Sequence, residues 1–165
     1  MGEVQILLTL DHPNIVKYYE TYDDVNYLYL LMELCPGGEL FDNSQIFKKA
    51  GQKYTEMDAA NITSKCLEAL QHCHMLGIIH RDIKPENIMF GKDGEIRLVD
   101  FGLAKESSVK MKTFAGTPYF MAPEVLSHNY GFKCDIWSMG CVLYMLVTGK
   151  LPFAGNSKAE VFNKI

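Results

Sequence analysis

The stretch that most constrains this 165-residue chain runs from His80 to Gly102, because it specifies a turn, two strands and a set of polar residues together. Residues 88–90 and 96–99 are short apolar runs separated by Gly91-Lys92-Asp93-Gly94-Glu95, and glycines supply the positive-φ positions that tight turns demand. The pattern predicts a β-hairpin. A hairpin returns the chain to its starting end, so Asn87, just before the first strand, and Asp100, just after the second, are expected side by side. Both offer hard oxygen ligands of the kind Mg²⁺ takes, with water and substrate phosphates completing its octahedron. Asp82 and Lys84 lie on the loop that feeds the same end. A proton acceptor, an ammonium and two metal ligands therefore converge. That set suits phosphoryl transfer, which needs positioning and charge neutralisation more than covalent chemistry from the protein. Taken singly, each Asp or Asn reads equally well as a turn former.

Taken together, His80-Arg81-Asp82, Lys84, Asn87 and Asp100-Phe101-Gly102 closely resemble the catalytic and metal-binding loops of protein kinases. The resemblance implies an α+β, protein-kinase-like two-lobe fold that uses ATP and Mg²⁺. It implies Asp82 as the proton acceptor, Lys84 beside the transferred phosphoryl group, and Asn87 and Asp100 as metal ligands. A complete kinase domain is longer than this chain. The expected organisation is therefore a truncated one: a partial small lobe over residues 1–34, then the hinge and a large lobe lacking its final helices over residues 35–165.

Apolar residues at 4, 6, 7, 8 and 10 are compatible with the end of a helix, stopped by Asp11-His12-Pro13-Asn14. The run resembles the second half of the kinase αC helix. Glu3 then falls where that family keeps the glutamate that pairs with an ATP-binding lysine; the lysine and the glycine-rich phosphate loop would lie upstream of Met1. Residues 15–21 and 26–32 read as two antiparallel strands around Tyr22-Asp23-Asp24-Val25. Residues 32–41 lose periodicity and gain Pro and Gly, which marks a linker. The linker resembles the hinge between lobes, with Met32 at the gatekeeper position and backbone groups from Glu33 to Cys35 against the adenine edge. The same resemblance puts Glu39 and Lys84 in the nucleotide-binding set.

Thr55-Glu56-Met57-Asp58 approximates a capping box with Asp in place of Glu. Ala59, Ile62, Cys66, Leu67, Leu70, Cys73 and Leu76 follow at helical spacing until Gly77, and Ile78-Ile79 then forms a short strand leading into His80. Beyond Gly102 the chain becomes loop-like and ends in Met121-Ala122-Pro123-Glu124, which resembles a kinase activation segment. Three regulatory positions follow from that likeness: Arg81, an arginine that would take an anion; Thr113, the phosphate acceptor; and Thr117 within Gly116-Thr117-Pro118-Tyr119. Residues 135–148 are apolar almost all round and stop at Gly149, as a helix in the middle of a domain does. It resembles the kinase αF helix, with Leu7, Tyr18, His80 and Phe101 matching an apolar column anchored at Asp135.

Lys84 and the Gly116-Thr117-Pro118-Tyr119 run resemble Ser/Thr kinases, and the segments around Glu39 and Thr113 look most like calcium-dependent and calmodulin-dependent kinases. Glu39 and Glu86 match positions that hold a substrate arginine three residues before the target hydroxyl, while Met145 replaces a glutamate used by the cyclic-nucleotide-dependent branch. Protein substrates with basic residues before Ser/Thr are the expected partners. No calcium-binding loop pattern occurs in the chain, so any calcium sensor would lie outside it.

A net charge of −4 argues against a nucleic-acid surface, and Lys48-Lys49 is too small a patch to reverse that. Five scattered cysteines fit reduced thiols in a cytoplasmic protein. Residues 136–147 are too few to span a bilayer, Ile6 spoils a myristoylation start, and His72-Cys73-His74 point in different directions on a helix and are not read as a metal site. Two readings stay open: a piece of an active Ser/Thr kinase, or a non-catalytic binding or regulatory module. Uncovered apolar surface is expected to favour self-association in either case.

Overall fold

The apolar run ending at Gly149 forms a helix that contributes to both clusters of buried side chains. The structure is a computed structural model and describes residues 2–40, 54–106 and 116–165. In it α4 (Lys133–Thr148) buries Asp135, Ser138, Met139 and Val142, and Gly149 closes it in the left-handed conformation at φ 70.

The chain before α4 supplies two antiparallel hairpins, a long helix and short paired segments. Helix α1 (Glu3–Thr9) buries Ile6 and Leu7, and the chain then turns through Asn14 into β1 (Tyr18–Asp23) and β2 (Leu28–Met32). The strands start later than residue 15. Ile15 and Val16 are buried and bond instead to Leu98, and the ladder shifts register between Tyr18 and Glu20. The turn also moves toward Asn26, because the Asp24 carboxylate accepts the N–H groups of Asn26 and Tyr27.

The expected linker contains a short strand, β3 (Gly38–Glu39), paired with Phe90 and Met89. Gly37 is needed there, since a Cβ would lie 2.4 Å from Phe90 Cβ. Helix α2 (Glu56–Met75) opens with the expected capping box: Thr55 Oγ1 accepts from Asp58 N–H and the Asp58 carboxylate accepts from Thr55 N–H. It buries Ala59, Ile62, Cys66, Ala69, Leu70 and Cys73, and Gly77 follows it at φ 72. Next come β4 (Ile78–Ile79), β5 (Ile88–Phe90) and β6 (Ile96–Leu98). Strands β5 and β6 form the expected hairpin, but only Gly94 of its two glycines has positive φ. β7 (Lys105–Glu106) pairs with β4 through the backbone. Two short helices complete the described chain, α3 (Pro123–Leu126) and α5 (Lys158–Lys164).

One core joins α1, β6, α2 and α4 through Leu7, Ile88, Leu98, Leu70, Phe101 and Val142, while Ile79, Met121, Val125 and Cys134 form a second cluster. Leu7, His80 and Phe101 are buried and Tyr18 is half-buried against the same core; the His80 and Phe101 rings lie 4.7 Å apart. No helix among the described residues is long and apolar enough to cross a membrane.

Candidate active site

Asp135 is fully buried, and its carboxylate organises the loop after β4. It accepts the N–H groups of His80 at 3.0 Å and Arg81 at 2.8 Å, and it meets His74 Nε2 at 2.8 Å. These bonds hold Arg81 at φ 68, a conformation that a non-glycine residue adopts only when its surroundings enforce it. The reversal aims Asp82 at the segment around Thr117. His80 completes the loop: its Nδ1 accepts the Asp82 N–H at 3.3 Å, so its Nε2–H donates to Val99 O at 3.2 Å.

The Asp82 carboxylate, 7% exposed, gathers four contacts. Oδ1 accepts from the N–H and the hydroxyl of Thr117, both at 3.2 Å. Oδ2 accepts from Lys84 Nζ at 2.7 Å and from Asn87 Nδ2 at 3.3 Å. Gly116 permits this approach, because at φ 107 a Cβ would come within 2.8 Å of Arg81 O. Burial alone would lower the Lys84 ammonium, but its bond to Asp82 and the charges of Asp82, Glu86 and Asp100 outweigh that and hold its pKa above the ordinary lysine value.

Asn87 ends the turn Pro85–Asn87, and its Nδ2 also donates to Asp82 O at 2.9 Å, so the amide oxygen is the atom that could ligate a cation. Val99 N–H donates to Asn87 O at 3.0 Å, so the hairpin sets Asp100 next to Asn87 as its geometry predicts. Asp100 is exposed, at φ 61, and accepts from Gly102 N–H. An amide oxygen and a carboxylate borne at neighbouring backbone positions are hard-oxygen donors of the kind Mg²⁺ takes. Glu3 flanks Gly102 from α1, and burial, then the charge of Asp100, raise its carboxyl above the usual range. This corner of the site favours a cation.

The positions expected of the hinge form a second group. Met32 ends β2 and is 36% exposed, Leu34 is exposed and Cys35 is buried. Glu33 donates its N–H to Lys17 O at 2.7 Å, and its carbonyl accepts a long contact from the Cys35 thiol at 4.0 Å. Glu39 and Glu86 come together in a groove of about 270 Å³ with Pro85, Tyr119, Met145 and Leu151. Arg81 donates to Leu103 O at 2.6 Å and to the Tyr130 hydroxyl at 3.2 Å. Thr113, like Phe41 and Lys48-Lys49, lies outside the described residues. Burial pushes the Cys66 and Cys73 thiols up to about 12 and Cys141 up to about 11, so none of these is a thiolate near neutrality.

Two participants were not singled out from the sequence, His74 and Arg97, and a third, Thr117, has a contact that the sequence did not indicate. His74 sits one turn beyond the buried Leu70, and a polar residue continuing an apolar stripe was its only signal. Thr117, expected as a regulatory position, is also a direct partner of Asp82. Arg97, a lone charge between Ile96 and Leu98, reaches Glu33 across the hinge.

A carboxylate bonded to a lysine and a threonine, near an amide and a second carboxylate, is a set of groups that suits phosphoryl transfer. The family model described as the protein kinase domain matches residues 1–165, and the chain belongs to that family. It is 43% identical over 169 residues to calcium-dependent protein kinase 3 of Plasmodium yoelii yoelii, covering 99% of this chain and 31% of that protein. It is 42% identical to calcium-dependent protein kinase 5 of Plasmodium falciparum (isolate 3D7), covering 99% of this chain and 29% of that one. It is 45% identical to calcium/calmodulin-dependent protein kinase type 1 of Caenorhabditis briggsae, covering 99% and 46% respectively. The chain thus spans less than half the length of these relatives.

Proposed function

We propose that the protein carrying this chain is a serine/threonine kinase that transfers the γ-phosphoryl group of ATP to hydroxyls of proteins. The observation that carries the reading is the cluster at Asp82, where Lys84, Thr117 and Asn87 converge on one carboxylate. Asp82 orients the substrate hydroxyl and accepts its proton as the new P–O bond forms and the bond to ADP breaks. Lys84 steadies the transferring oxygens. Asn87 and Asp100 would hold Mg²⁺, which when bound neutralises phosphate charge. Carbonyl and N–H groups of Glu33 and Cys35 hold the adenine edge, with Met32 behind it.

Substrate choice is assigned to the groove of Glu39 and Glu86. Two carboxylates above an apolar wall of Pro85, Met145 and Leu151 suit an arginine, whose stem is apolar and whose head is charged. Arg-x-x-Ser/Thr is therefore the preferred sequence, with no strong demand at the next position because Met145 brings no charge. The names of the relatives support control by a calcium sensor elsewhere in the whole protein, and a cytoplasmic location is the reading that goes with such substrates.

The test uses the whole protein, Mg-ATP and two peptides that differ only in arginine or alanine three residues before serine. Transfer to the arginine peptide is expected, with kcat/KM about tenfold higher than for its partner, since hydrogen bonds to charged groups contribute about 1.5–3 kcal/mol. Asp82→Asn should lower kcat by about 10²- to 10⁴-fold. Equal use of both peptides refutes the specificity; no transfer at all returns the chain to the reading of a non-catalytic binding module.

A further inference from the structure

We infer that Arg97 is a positioning residue for the adenine end of the nucleotide site, acting through the side chain of Glu33. The inference rests on the ATP-binding reading above, and it comes from a part of the molecule that the Asp82 chemistry does not use.

Glu33 is the first residue after β2, and its carboxylate faces away from the proposed adenine edge into an ion cluster. Both carboxylate oxygens lie 3.0 Å from Arg97 Nε, and Oε2 also accepts the Lys17 N–H at 3.3 Å. The remaining donors of Arg97 are committed elsewhere: one terminal nitrogen to Asp93 Oδ2 at 2.8 Å, the other to Ile96 O at 3.2 Å. The guanidinium is thus held from the β5–β6 turn and from its own strand. The Arg97 side chain is 11% exposed and that of Glu33 21%, so the pair is partly shielded from solvent. Its strand is fixed in turn, because Leu98 N–H donates to Asn14 O at 2.8 Å and Leu98 O accepts from Val16 N–H at 2.9 Å.

What lies behind the hinge gives this pair its weight. A cavity of about 420 Å³, bordered by Leu10, His12, Ile15 and Lys17, opens against Glu33 and Arg97. Packed side chains do not fill the back of the hinge at this point. Removing the Arg97 head would enlarge the cavity, strand a half-buried carboxylate and release the backbone that presents the Glu33 carbonyl and the Cys35 N–H. None of the hydrogen bonds at Asp82 involves Arg97, so the chemical step is not the step affected.

The experiment measures ATP KM and kcat with the arginine peptide, and Mg-ADP affinity by calorimetry, on the whole protein. For Arg97→Ala, ATP KM should rise about 3- to 10-fold and Mg-ADP affinity fall by a similar factor, with kcat within about twofold of the parent. Arg97→Lys should recover part of the loss, because an ammonium reaches the carboxylate without the fork. Glu33→Gln should reproduce the weakened binding, and Arg97→Ala added to it should weaken binding no further. Thermal melts identify any variant that fails to fold; if Arg97→Ala does so, Arg97→Lys and Glu33→Gln decide. An unchanged ATP KM and Mg-ADP affinity overturn the inference. So does a change confined to kcat, including an increase, which would make the pair a restraint on lobe movement. Failure of the parent protein to bind Mg-ADP would instead remove the ATP-binding reading, and this inference with it.

Discussion

Thr117 donates to one oxygen of Asp82 twice, through its backbone N–H and through its hydroxyl, and the two bonds respond differently to substitution. Any residue but proline retains the first; only Ser or Thr retains the second. Thr117→Ala should therefore keep the loop docked on Asp82 while releasing the carboxylate from half of its restraint on that side. A hydrogen bond to a charged group is worth about 1.5–3 kcal/mol, so kcat is expected to fall about 10- to 100-fold if that bond serves the transition state. Thr117→Ser should restore most of the rate, and the melting temperature should hardly move. Wild-type kcat in Thr117→Ala would assign the hydroxyl no part in catalysis. The likeness to activation segments marked the residue but not this bond, because Asp82 and Thr117 are 35 positions apart and no local pattern links them.

At the scale of elements, α4 carries the catalytic loop on a single carboxylate. Asp135 supplies acceptors to two adjacent N–H groups, those of His80 and Arg81, and Asn at this position could accept only one of them. Its amide NH₂ would then oppose an N–H donor. Asp135→Asn is expected to destabilise the protein by about 1–3 kcal/mol, the penalty of an unsatisfied buried donor, and to lower kcat by relaxing Arg81 from φ 68. Urea unfolding and steady-state rates check this together; an unchanged unfolding midpoint would mean that the loop is held from elsewhere. The elements themselves were legible to unequal degrees. Helix α2 announced its start by Thr55 and Asp58 and its end by Gly77, and the β5–β6 hairpin by its two apolar runs. Strands β3 and β7 did not announce themselves. They are two-residue pieces, Gly38–Glu39 and Lys105–Glu106, held by backbone bonds to Met89–Phe90 and Ile78–Ile79, and such short pairings leave no side-chain periodicity to read. The start of β1 was misjudged for a related reason: Ile15 and Val16 look like strand residues, yet their partner is Leu98, far along the chain. The Glu33–Arg97 pair, separated by 64 positions, was equally out of reach.

Over the whole molecule, two histidines tie distant segments together in their neutral form, and this sets how the fold responds to acid. His80 is buried between the catalytic loop and Phe101, and its Nδ1 accepts the Asp82 N–H. Burial lowers its pKa below the ordinary value, against the opposing influence of Asp135, the Val99 carbonyl, Asp82 and Asp100. His12 joins the α1–β1 loop to α2: its Nδ1 accepts the Asn14 N–H at 3.1 Å and its ring lies 5.4 Å from His72. Burial and then His72 lower its pKa, with Glu68 opposing. Both Nδ1 atoms are acceptors, so protonation there must break a backbone bond. With folded pKa values below that of the unfolded chain, the folded protein binds fewer protons than the unfolded chain once the pH falls past about 6.5, and stability falls with it. Glu3, whose carboxyl is raised, acts in the opposite sense, but over the lower range where carboxyls titrate. Asp24 is lowered by bonds from Asn26, Tyr29 and Tyr27, and Asp93 by its bond from Arg97, so these add their own loss only below about pH 4. Unfolding midpoints in urea should therefore decline steadily from pH 7.5 to 5.5, before any carboxylate contributes. His12→Gln, which removes one titrating ring, should make the decline shallower, and a profile flat across that interval would show that neither histidine is held neutral by the fold.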